Sequence, residues 1–128
     1  MIRIKLTSVM VADQEKALQF YTKALGFVKK RDIPMGASRW LTVVSPAEPD
    51  GTQLLLEPNG NPVAGPFQRG LYQQGIPATA FAVDDIHQEY ARMKELGVVF
   101  RGEPAKAGPA TVVVLDDTCG NWIQLFQV

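Results

Sequence analysis

The chain has one cysteine and one histidine in 128 residues. A single cysteine excludes an internal disulfide framework and fits a reducing compartment. A single histidine excludes any centre that needs two histidines from one chain. Neither sign of charge dominates, with Lys+Arg and Asp+Glu at 13 each and a net charge of zero. There is therefore no basic stripe for nucleic acid and no charged tail. No apolar run approaches the ~20 residues that a membrane span requires. The opening Met1-Ile2-Arg3-Ile4-Lys5-Leu6 lacks the apolar stretch of a signal peptide. A cytoplasmic protein with neither a nucleic-acid nor a membrane partner is the expectation. Gly60, Gly65 and Gly70 lack the strand–loop–helix setting of a phosphate cradle.

What remains is enough for one domain, since a chain of this length buries about two-thirds of its unfolded surface. Residues Ile2 to Val11 alternate as a strand, with Ile2, Ile4 and Leu6 on one face and Arg3 and Lys5 on the other. Asp13 is placed to cap a helix whose apolar residues Ala17, Leu18, Phe20, Tyr21, Ala24 and Leu25 recur at helical spacing. Gly26 ends it. Strands follow over Phe27 to Asp32, Arg39 to Val44 and Thr52 to Glu57. Residues 58–75 carry Pro58, Gly60, Pro62, Gly65 and Pro66, and read as a loop with a short helix from Pro66 to Gly75. Its aromatics Phe67 and Tyr72 are expected to pack.

The pattern then repeats. Ile76 to Val83 is a strand, and Asp84 and Asp85 open a helix with Ile86, Tyr90, Met93 and Leu96 on its apolar face. Gly97 closes it, and strands follow over Val98 to Arg101, Ala110 to Leu115 and Asn121 to Val128. Asp13 and Gly26 are thirteen residues apart, as are Asp84 and Gly97. Asp50-Gly51-Thr52-Gln53-Leu54-Leu55-Leu56 echoes Cys119-Gly120-Asn121-Trp122-Ile123-Gln124-Leu125. The expected fold is α+β: two βαβββ modules in a curled mixed sheet around a central cleft, within a single domain. Module one spans 1–58, the linker 59–75 and module two 76–128.

Val11-Ala12-Asp13…Phe20-Tyr21…Leu25-Gly26-Phe27 and the closing Gly120-Asn121-Trp122-Ile123-Gln124-Leu125 resemble the vicinal oxygen chelate superfamily. That group includes glyoxalase I, extradiol dioxygenases, and fosfomycin- and bleomycin-resistance proteins. The fold hosts many reactions, so the resemblance does not choose one. In its metal-using members four ligands, His, Glu or Gln, occupy positions that correspond here to Leu6, Leu55 (Leu56 or Glu57 with a shifted register), Ala78 and Gln124. Leu and Ala offer no electron pair, and the Gln amide oxygen is a weak, neutral donor. No metal and no cofactor is therefore expected.

In the fold that the resemblance implies, Ile4, Leu6, Ser8, Met10, Gln53, Leu55, Glu57, Ala78, Ala80, Ala82, Trp122, Gln124 and Phe126 face the cleft. Within that set, Leu6, Ser8, Leu55, Glu57, Ala78, Trp122 and Gln124 are the candidate ligand-binding residues. Small alanines opposite aromatics leave room for an organic molecule, or close into a packed core. Trp122 and Trp40 are candidates to stack a flat ring. Glu57 is the one weak catalytic candidate, a carboxylate that faces either a ligand or solvent. His87 reads as a solvated helix residue, Cys119 as an inert turn thiol, and Asp116 and Asp117 as turn formers. The expected function is metal-free binding of a small molecule by a homodimer, as in bleomycin-resistance proteins. The alternatives are a metal-independent enzyme acting through Glu57 or an aspartate, and a metal-dependent lyase or dioxygenase.

Overall fold

Alternating apolar and polar residues build two sheets, and in each a capped helix covers one face. The computed structural model describes all 128 residues and divides them into two units, Met1–Pro66 and Phe67–Val128. The fold is α+β, with two four-stranded mixed sheets and three helices.

The first unit holds β1 (Leu6–Val11), α1 (Gln14–Lys23), β2 (Val28–Met35), β3 (Ser38–Val44) and β4 (Gln53–Pro58). Its strand order is β1-β4-β3-β2, with β1 parallel to β4 and the other pairs antiparallel. Asp13 caps α1 by accepting from the Lys16 N–H at 3.0 Å. The α1 residues Ala17, Leu18 and Tyr21 are buried, as are Val9, Val11, Leu41, Val43, Leu54 and Leu56 from the strands. Gln14 fastens the helix to the sheet. Its amide donates to the carbonyls of Arg39 (2.7 Å) and Leu56 (2.9 Å), and its oxygen accepts from the Arg39 N–H at 3.0 Å. Strand β1 is shorter than its alternation suggests. It begins at Leu6, and Ile2 and Ile4 are left 100% and 80% exposed. Period-two patterning makes a strand only where a neighbour supplies a ladder, and the register with β4 starts at Leu6.

The second unit takes most of α2 (Ala64–Gln73), then β5 (Thr79–Ala82), α3 (Ile86–Glu95), β6 (Ala105–Ala107), β7 (Ala110–Asp116) and β8 (Trp122–Gln127). The order β5-β8-β7-β6, with β5 parallel to β8, repeats the topology of the first sheet. Ile86 and Met93 of α3 are buried, with Val113, Leu115, Ile123 and Leu125 of the strands. Three expectations need correction. The α3 cap is Asp85 rather than Asp84; its carboxylate accepts from the Gln88 N–H at 3.1 Å. Helix α2 starts at Ala64, two residues before Pro66, which its first turn tolerates because the missing N–H would have no helical partner there. The strand expected over Val98 to Arg101 is reduced to one bridge, Phe100 with Leu115, and the outer strand is β6 instead.

Candidate functional site

In the first unit, the face of the β-sheet away from Val9, Val11, Leu54 and Leu56 carries Leu6, Ser8 and Met10 of β1. Beside them in register stand Gln53, Leu55 and Glu57 of β4. Leu55 is buried, Leu6 and Ser8 are exposed, and Met10 and Glu57 are half-buried. The Thr42 hydroxyl donates to Gln53 Oε1 at 2.7 Å and accepts from the Arg31 N–H at 3.1 Å, so Gln53 is committed to the sheet. The Glu57 carboxylate and the Ser8 hydroxyl are engaged by none of the chain's hydrogen bonds or ion pairs.

In the second unit, β8 alternates as its sequence suggests: Ile123 and Leu125 are buried, and Trp122, Gln124 and Phe126 are half-buried on the opposite face. Gln124 has Ala80 beside it on β5 and Val114 on β7. Ala80 and Ala82 are exposed. The Gln124 carboxamide, like Glu57, forms no hydrogen bond within the chain. Ala78 precedes β5, its N–H donating to the Trp122 carbonyl at 2.8 Å and its methyl exposed.

Trp122 is occupied by its own unit. Its ring stacks on Tyr72 of α2 with centroids 4.9 Å apart and an interplanar angle of 5°. Its indole N–H donates to the Tyr72 carbonyl at 3.1 Å, and the Arg101 guanidinium lies 5.0 Å from the ring centroid. The Tyr72 hydroxyl donates to Asp116 Oδ2 at 2.7 Å, and that bond to a carboxylate raises the phenol's pKa and keeps it protonated. Of the two α2 aromatics expected to pack, Tyr72 does. Phe67 is 64% exposed.

The β7–β8 turn is a buried polar lock. Asp117 Oδ1 accepts from the N–H groups of Cys119 (2.7 Å) and Asn121 (3.0 Å), and Oδ2 accepts from the Asn121 amide at 2.8 Å. Gln68 of α2 donates to the Cys119 carbonyl (3.0 Å) and to Asn121 Oδ1 (3.1 Å). Gly120 turns at φ 101°, and a Cβ there would lie 2.7 Å from Gln68 Nε2. The Asp-x-x-Gly-Asn pattern is thus a structural lock that aims β8, with Cys119 buried inside it. Sequence reasoning missed the roles of Gln68 and Arg101, and for Tyr72 it gave the packing but not its partners Trp122 and Asp116. A usable signal was the helical spacing of Gln68 and Tyr72 in α2, a helix whose one charged side chain is Arg69.

A sequence profile of the Glyoxalase/Bleomycin resistance protein/Dioxygenase superfamily matches residues 3–125. The chain belongs to that superfamily. It is 55% identical to the uncharacterized protein YurT of Bacillus subtilis (strain 168), over 98% of this chain and 99% of that one. Among solved structures it is similar to UcmS2, with a TM-score of 0.84, 31% identity and 98% of each chain covered. It is also similar to TnmS3, an antibiotic binding protein from Streptomyces sp. CB03234, with a TM-score of 0.76 and 28% identity over 99% and 96% of the two chains. The resemblance implies that the metal-ligand positions correspond here to Leu6, Leu55 (Leu56 or Glu57 with a shifted register), Ala78 and Gln124. Leu6, Leu55 and Ala78 are hydrocarbon, Gln124 is a neutral amide, and even the shifted register adds only the one carboxylate of Glu57. No three His, Cys, Asp or Glu side chains come together. A transition-metal ion takes N, O or S donors at about 2.0–2.3 Å, usually three or more from the protein. These residues do not fit one.

Proposed function

We propose that this superfamily member binds a small organic molecule against an open sheet face, and holds it without a metal ion and without turnover. The observation that carries this reading is Gln124, an amide with no partner in the chain, set between Ala80 and Val114. An apolar surface with a few placed polar groups is how proteins recognise small ligands. On the second unit's face Ala78 and Trp122 join Gln124 in the proposed set, with Trp122 as a wall already packed by Tyr72. On the first unit's face, taken by itself, the candidate residues are Leu6, Ser8, Leu55 and Glu57. The likeness to TnmS3, described as an antibiotic binding protein, supports the ligand class. The protein acts as a cytoplasmic homodimer in this reading. The single buried cysteine fits a reducing compartment. The exposed Met1, Ile2 and Ile4 suit cover by a second copy.

The test is thermal unfolding against a library of aromatic and peptide antibiotics, each with and without a chelator. A true ligand at about 100 times its Kd adds about 2.7 kcal/mol, which raises Tm by about 10 °C for a chain of this size. The shift should be indifferent to the chelator. A library without a single stabilising member, or stabilisation that vanishes on chelation, contradicts the reading. A second reading, metal-independent catalysis, is favoured by the unengaged Glu57 carboxylate. It requires a turnover of candidate substrates whose pH–rate profile is lost in Glu57→Gln.

A further inference from the structure

We infer that Gln124 is the specificity-determining group of the second unit's open face. The ligand it reads is a neutral, flat ring system with an N–H donor and a C=O acceptor side by side, as in a lactam or imide. This rests on the binding function proposed above and names its ligand class. Three features of the surface converge on it.

The first is the chemistry of the anchor. A carboxamide presents a donor and an acceptor in one plane, so its complement is an acceptor and a donor in one plane. Gln124 lies on β8, an inner strand of the sheet, with Ala80 on one side and Val114 on the other. Neither neighbour can satisfy the amide, and a ligand that covered it without pairing it would lose about 10- to 100-fold in affinity.

The second is shape. Ala80 and Ala82 are the face residues of edge strand β5 and are exposed, in register with Gln124 and Phe126. Alanine methyls barely rise above the backbone, so a planar molecule can lie against β5 and still reach the amide. Phe126, Val112 and Val114 extend the same face in hydrocarbon.

The third is charge. The one carboxylate on this face, Asp116, is occupied by the Tyr72 hydroxyl and the Thr118 N–H, both at 2.7 Å. The Arg101 guanidinium lies over Trp122 and gives one N–H to the Gly75 carbonyl at 2.8 Å. At Gln124 itself the residues in register are Ala80 and Val114, neither of them charged, so a charged ligand would lose its hydration there.

The probes are quinolin-2(1H)-one, its N-methyl derivative and quinoline-2-carboxylate, titrated into the ¹⁵N-labelled full chain. The lactam should shift the Gln124 side-chain amide resonances together with the backbone amides of Ala80, Ala82 and Phe126. Its N-methyl and carboxylate analogues should bind at least about 10-fold more weakly. In Gln124→Leu the three affinities should converge to within about 3-fold, with an unchanged backbone spectrum elsewhere. Ala80→Phe, which raises the platform, should abolish lactam binding while the spectrum of α3 stays in place. Equal affinity for lactam and N-methyl lactam, or a Gln124 resonance that does not move, overturns the inference. If the antibiotic library yields ligands but the lactam leaves this sheet untouched, the ligand class is wrong and the binding function stands. If the library yields none, the binding function itself fails.

Discussion

At the β7–β8 turn Asp117, Asn121 and Cys119 supply the acceptors for a group of buried donors, and Asp117 serves three of them. The side chain is fully buried. A buried carboxylate is tolerable only when hydrogen bonds replace its hydration, and here two backbone N–H groups and an amide do so. Asp117→Ala removes both acceptor oxygens at once and leaves three donors desolvated. Each such loss costs about 1–3 kcal/mol, so the variant should be destabilised by about 3 kcal/mol or more in urea unfolding. The neighbouring Asp116 looks identical in sequence and has a different task. It is half-buried, and it accepts from Tyr72 and from the Thr118 N–H. A change of under about 1 kcal/mol for Asp117→Ala would show that the lock is decorative. The same two aspartates show where legibility ends at this scale. That they form a turn could be read from their company of Thr, Gly and Asn. Which one is buried is a matter of tertiary packing: α2, far away in the chain, meets the turn through Gln68 at Cys119 and Asn121 and through Tyr72 at Asp116.

The elements were most legible where local chemistry and tertiary packing agree. Helices α1 and α3 announce themselves by an aspartate cap, an apolar stripe and a terminal glycine, and both fold as read, apart from the one-residue shift of the cap to Asp85. Strands failed where propensity and pairing part. Val98 to Arg101 has the right residues but a single bridge, whereas the poor strand formers Ala105-Lys106-Ala107 are held by the β7 ladder. The β2–β3 hairpin is linked to α1 by charge, which also could not be read from spacing. Arg39 grips Asp32 with two bonds, Nε to Oδ1 at 3.0 Å and Nη2 to Oδ2 at 2.8 Å, and reaches Glu15 of α1 with Nη1 at 3.0 Å. The Arg39 hydrogen bonds hold the Asp32 pKa down at about 2, and the Lys29 ammonium adds to the effect. A depressed carboxylate stabilises the fold above its unfolded pKa of about 4 and loses that contribution as pH falls through its folded value. The stability gap between the wild type and Asp32→Asn should therefore be constant above about pH 5. It should shrink between about pH 4 and pH 2 and weaken with salt, because the pair is partly exposed. A gap that persists unchanged at pH 2 would mean that Arg39 holds the hairpin by packing alone.

At the scale of the molecule, the duplication was legible because each unit must solve the same problem, one sheet face buried under one helix. The topology β1-β4-β3-β2 duly recurs as β5-β8-β7-β6. What sequence could not say is which patterned residues would find no cover. Ile2 and Ile4 alternate with Arg3 and Lys5 as a half-buried strand should, yet they lie at 100% and 80% exposure. The root of this arm is fixed, since the Ile4 carbonyl accepts from the Thr52 hydroxyl at 3.0 Å and the Lys5 ammonium donates to the Asp50 carbonyl at 2.6 Å. An anchored arm that exposes two isoleucines and runs into edge strand β1 is the kind of surface that a second copy covers. Burying an isoleucine is worth about 1.5–3 kcal/mol, and a symmetric dimer would bury four of them across its two arms. That gain is of the same order as the cost of association, so these side chains decide whether the proposed homodimer forms. In sedimentation velocity at micromolar concentration the wild-type chain should run as a dimer and Ile2→Ser/Ile4→Ser as a monomer. Far-ultraviolet circular dichroism should be unchanged, because neither side chain belongs to the core of its own copy. A wild-type chain that is already monomeric, or a doubly substituted chain that remains dimeric, would remove the arm from the account.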